Sequence, residues 1–153
     1  MKIKIISIGN NPPKLIQGIL LKYTSRFDAH FKIELLEIKS EKNIKSIEQK
    51  KLQEAQKILK FIDNDFIVSL DENGSPWSSK DLSENLSKWM QNSPKVTFVI
   101  GGADGLYKKI IEDSNLVWSI SKLTLPHNLV KIILVEQLYR ASTMLNNHPY
   151  HRE

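Results

Sequence analysis

The chain has 153 residues, 41% of them hydrophobic and 25% charged, a balance that suits one soluble globular domain with a sizeable core. It contains no cysteine, which excludes disulfides, thiolate zinc sites and a cysteine nucleophile. The net charge of +5 is compatible with an anionic partner such as RNA, and equally with a surface of solubilising lysines.

Two features of the sequence predict a cytoplasmic protein. The apolar stretch at the N-terminus is interrupted by Lys4 and followed by Asn-Asn-Pro-Pro, which makes it a poor signal peptide. The aliphatic run at residues 132–135 is far too short to span a bilayer.

The first half of the chain predicts alternating strands and helices. Alternating apolar and polar residues indicate strands at residues 2–9 and 31–38, and the Pro12–Pro13 pair opens a helix between them. A second helix begins at Ser46. The stretch DFIVSLD then predicts a third strand, and ENGSP after it has the composition of a turn.

The second half continues the alternation. A helix with a serine cap covers residues 78–90, a strand covers 95–102, and a short helix follows the glycine loop. Residues 116–125 predict a fifth strand, and Pro126 separates it from a long helix at about 127–146. The pattern predicts a single α/β domain over residues 1–153 with a largely parallel sheet.

Three glycines mark the end of the fourth strand. Gly101, Gly102 and Gly105 lie at a strand's carboxyl end, where open α/β sheets bind ligands. Their spacing is not that of a dinucleotide fingerprint, and the chain contains no P-loop motif. On this pattern alone, a tight turn without a ligand is at least as good an interpretation as a binding loop.

Several motifs together resemble one family over the whole chain. They are the glycine block IGGADGL, then LTLPH, VEQLYRA and the terminal HPYHRE. With these motifs the chain resembles the 23S rRNA pseudouridine N3-methyltransferases of the SPOUT superfamily. The resemblance implies a SPOUT-type α/β fold with a parallel-rich sheet, a C-terminal deep trefoil knot and a homodimer.

The resemblance also implies the methyl donor S-adenosyl-L-methionine and no metal. This molecule has no phosphate, so its site needs no lysine or helix N-terminus to hold one. Its adenine is flat and neutral, and it therefore needs an apolar slot and backbone hydrogen-bonding groups. Ala103 stands where some relatives have proline or serine. The positions that match the family's donor site are Leu70, Gly101, Ile120, Ser121, Lys122, Leu123, Thr124 and Leu125.

The C-terminal tail carries the catalytic candidates. In the resembling family the tail lies by the methyl donor, across the dimer, and helps to form the RNA site. The implied reaction is methyl transfer to N3 of a pseudouridine in a stem-loop of 23S rRNA in the ribosome, which requires loss of the N3 proton. The candidates for this chemistry are His148, Tyr150, His151 and Arg152, and the resemblance does not say which is the general base.

Other interpretations of the function stay open. The chain could be a SPOUT methyltransferase with a different RNA target, or a non-enzymatic ribosome-binding module of the same fold. From the pattern alone, it could be a Rossmann-like nucleotide-binding domain.

Some residues have a simpler structural interpretation. We expect Asp71 to initiate a turn, Asp104 to cap the next helix and His127 to be a cap-region or interface residue. We expect His30 to be solvated and the three tryptophans to be packing residues. The last helix has apolar residues on more than one face, which favours burial against a second copy of the chain. They are Leu129, Val130, Ile132, Ile133, Leu134, Val135, Leu138, Tyr139, Met144 and Leu145.

Overall fold

The fold was determined as a computed structural model that describes residues 1–93 and 95–150. Five parallel strands form one sheet in the order β2-β1-β4-β3-β5. The elements along the chain are β1 (Lys2–Ile8), α1 (Lys14–Thr24), β2 (Lys32–Ile38), α2 (Ile47–Leu59), β3 (Phe66–Pro76), α3 (Ser79–Asn92), β4 (Lys95–Ile100), α4 (Lys108–Glu112), β5 (Leu116–Ser119) and α5 (His127–Leu145). The α/β class and the parallel sheet are confirmed.

Helices cover both faces of the sheet. On one face, α1, α3 and α5 contribute Leu20, Leu86 and Leu138 to a core that also contains Phe98 and Trp118. On the other face, α2 and α4 pack on the remaining strand residues. That second core consists of Ile6, Ile8, Ile38, Ala55, Ile58, Val99, Leu106 and Ile110.

Serine caps define the starts of two helices, as the sequence indicates. Ser46 Oγ accepts a hydrogen bond from the backbone N–H of Gln49 at 3.3 Å, at the start of α2. Ser78 and Asp81 form a complete capping box at the start of α3. These caps satisfy backbone N–H groups that have no partner inside the helix.

The third strand is longer than the sequence predicts. The prediction of a turn at ENGSP is wrong, because β3 continues to Pro76 and pairs with β5 again after a register shift between Leu70 and Ser75. A Cβ atom on Gly74 would lie 2.8 Å from the backbone of Val117, so glycine permits this close pairing. Asp71 still makes a local turn, since its Oδ1 accepts from the backbone N–H of Asn73 at 2.9 Å.

The fifth strand is shorter than predicted. It ends at Ser119 rather than at Leu125, because the chain leaves the sheet in a bend held by side-chain bonds. Ser119 Oγ donates to the carbonyl of Ser121 at 3.1 Å, and Ser121 Oγ accepts from the backbone N–H of Leu123 at 2.9 Å. Residues 120–126 therefore form a loop at the carboxyl edge of the sheet.

The apolar faces of α5 are covered mainly within the chain. Leu134, Val135 and Leu138 are fully buried, and among the apolar residues of this helix only Leu129, at 43%, is exposed. Because α1 and α3 flank α5 on the sheet, the helix does not by itself require a second chain. No helix within the described residues is long and apolar enough to cross a membrane.

The tryptophans pack, as predicted. Trp77 stacks on Trp118 with ring centroids 4.9 Å apart, and Trp89 makes an edge contact with Phe98 at 5.9 Å. The expectation for His30 is also met, since its side chain is 80% exposed, with Nδ1 3.1 Å from Asp28 Oδ1.

Candidate functional site

A cleft of about 850 Å³ opens at the carboxyl edge of the sheet. Its floor is formed by the ends of β3 and β4, and its walls are the turn at residues 101–105 and the loop at 120–126. A volume of this size accommodates a nucleoside-sized ligand. The position agrees with the general rule that open α/β sheets bind ligands beyond the carboxyl ends of their strands.

The glycine turn is built from backbone contacts that exclude side chains. The N–H of Gly105 donates to the carbonyl of Gly102 at 3.0 Å, and Gly105 has a left-handed φ of 77°. A Cβ atom on Gly101 would lie 2.7 Å from the carbonyl carbon of Gly105 and 2.8 Å from the N of Leu106. Gly101 is therefore required to close the turn, whatever the cleft binds.

An ion pair joins the glycine turn to α2. Lys50 Nζ lies 2.5 Å from Asp104 Oδ2, and the hydrogen bond to Asp104 raises the pKa of Lys50. The prediction that Asp104 caps α4 is wrong. The residue at the cap position is Tyr107, which makes no side-chain capping bond, and Asp104 is instead neutralised by a lysine distant in sequence.

The loop at 120–126 lines the opposite wall and is tied to β3. Lys122 Nζ donates to the carbonyl of Glu72 at 2.8 Å, which fixes the loop across the end of the strand. Of the eight residues predicted to bind the methyl donor, Lys122 is the one that does not line the cleft. The predicted residues that do line it are Leu70, Gly101, Ile120, Ser121, Leu123, Thr124 and Leu125.

Sequence reasoning missed some residues that line this cleft. His127 follows the loop and lies in the cleft wall, although the sequence indicated only a cap-region or interface role. Lys51 and Lys108 also line the cleft, as do the acidic residues Asp71, Glu72 and Asp104, so the lining carries charges of both signs. Nothing in the sequence distinguishes these two lysines from the many other lysines of the chain.

The tail lies elsewhere in its own chain. Tyr150 packs its ring against Tyr139 at 4.8 Å, and its hydroxyl donates to Glu136 Oε1 at 3.2 Å. His148 is exposed, and its N–H donates to the carbonyl of Thr143 at 2.9 Å. Of the catalytic candidates, His151 and Arg152 lie outside the described residues.

Tyr150 is also separated from the cleft along α5. Its partners Glu136 and Tyr139 lie 9 and 12 residues beyond His127, which at 1.5 Å per residue corresponds to about 14 to 18 Å along the helix axis, and Tyr150 is not among the residues that line the cleft. The structure therefore does not bring Tyr150 and the cleft of the same chain together. Burial is the main cause that raises the pKa of Tyr150, followed by interactions with Tyr23 and Glu136, so its hydroxyl stays protonated at neutral pH.

The apolar part of the cleft lining suits a flat, neutral group. Leu70, Ile120 and Leu125 present aliphatic carbon, and the glycine turn presents backbone. Within residues 1–93 and 95–150, no group of three or more histidine or carboxylate side chains is placed to hold a metal ion. The cleft can therefore bind through apolar contact and backbone hydrogen bonds.

Comparison with known proteins identifies the family. The model of a family described as predicted SPOUT methyltransferases matches residues 1–151. The chain belongs to the SPOUT methyltransferase family. The family resemblance read from the motifs is thereby confirmed.

Curated relatives of this SPOUT protein match it over its full length. A protein of Methylobacillus flagellatus is 41% identical over 155 residues, covers 100% of both chains and is named "Ribosomal RNA large subunit methyltransferase H". Proteins with the same name from Neisseria meningitidis serogroup C and Chromobacterium violaceum are 40% and 39% identical, again over 100% of both chains.

Solved structures confirm the SPOUT-type fold. A probable methylase family protein from Haemophilus influenzae Rd KW20 superposes with a TM-score of 0.57 at 14% identity, covering 99% of this chain and 70% of that one. A putative methylase family protein from Neisseria gonorrhoeae gives 0.55 at 15% identity, covering 99% of this chain and 86% of that one. The deep knot stays a prediction.

Proposed function

We propose that this protein transfers a methyl group from S-adenosyl-L-methionine to N3 of a pseudouridine in a stem-loop of 23S rRNA in the ribosome. The observation that carries the proposal is the cleft at the ends of β3 and β4, because seven of the eight residues matched to the family's donor site line it. The relatives' name supports large-subunit rRNA as the substrate. The net charge of +5 is compatible with an RNA partner.

The residues of the cleft fit the methyl donor. Leu70, Ile120 and Leu125 would hold the adenine between aliphatic side chains, and the turn at Gly101 would approach it with backbone only. Bound there, S-adenosylmethionine supplies an activated methyl group on a sulfonium, which needs no metal. The chain's own task is to place the target base in line with that methyl group and to keep water out.

The remaining requirement is removal of the N3 proton, because a protonated imide nitrogen is a weak nucleophile. We assign this part of the site to the tail residues His148, Tyr150, His151 and Arg152. Tyr150 is suited to donate a hydrogen bond rather than to act as the base, since burial raises its pKa. The donors of the tail would stabilise negative charge on the carbonyls beside N3.

In a homodimer, the tail of one copy can reach the cleft of the other. Tyr150 packs on α5 at a level about 14 to 18 Å beyond His127 along the helix axis and does not line the cleft of its own chain, so a tail that reaches a methyl donor is best supplied by a second copy. α1 offers an apolar surface for such a contact, since Leu15 is 75% exposed and Leu21 is 68% exposed. We propose a dimer that buries at least about 1,000 Å² and acts in the cytoplasm.

Three measurements, made one after another, test the proposed function. Calorimetric titration with S-adenosylmethionine should give saturable binding, which a general nucleotide-binding domain would not share. Labelled methyl groups should then enter large-subunit RNA of ribosomes from a strain that lacks the protein, which a ribosome-binding module would not achieve. Sedimentation should give a dimer at micromolar concentration, and a monomer would contradict the proposed assembly.

A further inference from the structure

The chain at residues 39–51, which leads from β2 into α2, carries most of the excess positive charge of the protein. This basic segment contains five lysines and two glutamates, so it accounts for +3 of the net charge of +5. The charge of the remaining chain is therefore nearly balanced. The five lysines are Lys39, Lys42, Lys45, Lys50 and Lys51.

The basic segment lies at the same edge of the sheet as the cleft. The strands are parallel and β2 ends at Ile38, so the segment leaves the sheet at its carboxyl edge. Lys51 lines the cleft, and Lys50 pairs with Asp104 in the glycine turn. Only β1 separates β2 from β4. Because neighbouring strands are about 4.8 Å apart, the end of β2 lies about 10 Å from the end of β4, which forms part of the cleft floor.

The exposed lysines of the basic segment keep their positive charge available to a partner. Lys39, Lys42 and Lys45 are exposed, and the ion pairs found within the described residues include none of them. Of the two glutamates in the segment, Glu41 is already paired with Lys57 of α2. One glutamate is therefore left to offset these lysines.

A buried carboxylate fixes the basic segment on α2. Glu54 is 3% exposed, and its Oε1 accepts hydrogen bonds from Ser40 Oγ at 2.8 Å and from the backbone N–H of Glu41 at 3.0 Å. At the other end of the loop, Ser46 caps α2 through the N–H of Gln49. The backbone that carries the exposed lysines is thus held at both ends, which reduces the entropy lost when a partner binds.

We propose that the basic segment binds the sugar–phosphate backbone of the rRNA that flanks the target nucleotide. An ammonium group binds phosphate as a point charge and does not read the base. Lys39, Lys42 and Lys45 would therefore hold the RNA in position beside the cleft without choosing its sequence. The inference rests on the proposed function, because that function brings the target nucleotide to the cleft.

The salt dependence of ribosome binding tests the phosphate contacts. A triple variant replaces the three exposed lysines of the basic segment with glutamine, and a control variant removes the same charge from exposed lysines near the opposite, amino edge of the sheet. The triple variant is Lys39→Gln, Lys42→Gln and Lys45→Gln. The control is Lys32→Gln, Lys60→Gln and Lys95→Gln.

We expect the triple variant to bind ribosomes that lack the modification at least about tenfold more weakly than wild type. The slope of the logarithm of the binding constant against the logarithm of the salt concentration should become shallower by about two to three, or about one for each lost phosphate contact. The control should bind within about twofold of wild type, and both variants should bind S-adenosylmethionine normally. Equal losses in the two variants, or an unchanged slope in the triple variant, overturn the inference.

Cross-linking identifies what the basic segment touches. Because the chain contains no cysteine, Lys42→Cys can carry a single photoreactive group. On ribosomes, this group should cross-link to 23S rRNA near the methylated nucleotide, and the same group on Lys60→Cys should cross-link far less. Cross-links mainly to a ribosomal protein overturn the inference.

The same measurements separate this inference from the proposed function. If the wild-type protein binds ribosomes with the expected slope and cross-links but transfers no methyl group, the RNA-binding surface is supported and the proposed function is contradicted. If methyl transfer occurs but the triple variant binds like the control, the inference alone is overturned. Failure of the wild-type protein to bind ribosomes contradicts both.

Discussion

Lys50 Nζ lies 2.5 Å from Asp104 Oδ2, so α2 holds the glycine turn of the cleft from outside. Both side chains are largely buried, with 20% and 29% of their surface exposed. The ion pair joins α2 to the turn at residues 101–105. Within the described residues, no other side-chain hydrogen bond holds this turn. The position of the turn, and with it the shape of the cleft, depends on this contact.

Breaking this ion pair should weaken donor binding more than it weakens the fold. We expect Lys50→Met and Asp104→Asn each to lower the affinity for S-adenosylmethionine about two- to fivefold, because the turn can then move. The free energy of unfolding should fall by at most about 1 kcal/mol. Titration calorimetry measures the first effect and thermal unfolding the second.

The control for that prediction is Lys109→Met. Lys109 of α4 pairs with Asp113, the residue after the helix, at 3.0 Å, so the variant removes a more exposed ion pair that does not touch the turn. Equal losses of affinity in Lys109→Met and Lys50→Met would contradict a specific role for the Lys50–Asp104 pair.

Gly101→Ala should open the turn. The added Cβ would lie 2.7 Å from the carbonyl carbon of Gly105, a backbone atom that cannot swing away as a side chain can. We expect at least a tenfold loss of donor affinity and a destabilisation of about 1–3 kcal/mol. Affinity should be measured by calorimetry and stability by chemical denaturation.

Gly18→Ala serves as the control for the glycine prediction. Gly18 lies inside α1, and apart from its chain neighbours and the backbone of its own helix no described atom lies within 4 Å of the added Cβ. Alanine there should stabilise the protein by up to about 1 kcal/mol and leave donor affinity unchanged. Unchanged donor affinity in Gly101→Ala would show that the turn tolerates a side chain.

Removing the capping box of α3 should alter the pH dependence of stability. Hydrogen bonds from the Ser78 hydroxyl and then from its backbone N–H lower the pKa of Asp81 in the folded protein. Because folding lowers the pKa of this carboxyl, the ionised group stabilises the folded state at pH values above its pKa in the unfolded chain, which is near 4. This contribution is lost as the pH falls through the lower pKa of the folded protein.

We therefore expect Ser78→Ala to melt about 2–4 °C below wild type at pH 7, and by less at pH 3. Ser87→Ala, inside the same helix, is the control because it leaves both capping bonds in place. A difference from wild type that is the same at both pH values would exclude this contribution from Asp81.

Deleting residues 150–153 should separate catalysis from folding. We expect the fold to survive, because Tyr150 is the only one of these residues whose packing the structure describes, and it contacts the surface of α5. Methyl transfer to ribosomes should fall at least about a hundredfold through loss of groups that position the base or stabilise charge. Single-turnover transfer, compared with donor binding by the same protein, measures the effect. Near-normal transfer would make the tail a bystander.

The strands were predictable because their apolar residues alternate or run together. The continuation of β3 through Gly74 was not, because its Asn-Gly-Ser-Pro composition favours a turn, and only pairing with the distant β5 overrides it. Asp104 shows the same limit at the site. Its sequence neighbours suggested a cap, whereas its partner Lys50 is 54 positions away.

The residues predicted to bind the methyl donor came from motif resemblance, and in the structure most of them line one cleft. His127 was missed as a cleft residue, because only the fold brings the start of α5 to the carboxyl ends of β3 and β4, and nothing local in the sequence indicates this. The tail illustrates the converse. Its functional groups were evident from composition, but its distance from the cleft of its own chain depends on how it packs against Glu136 and Tyr139.

Mapping the methylated nucleotide tests the central claim most directly. Ribosomes from a strain lacking this protein would be treated with the purified protein and S-adenosylmethionine, and the large-subunit RNA would then be digested and analysed by mass spectrometry. The account predicts one new methyl group, on N3 of a pseudouridine in a stem-loop of 23S rRNA, and at least about tenfold less of it with a Gly101→Ala control at a donor concentration well below saturation. A methyl group on another nucleotide, or none despite bound donor, would contradict it.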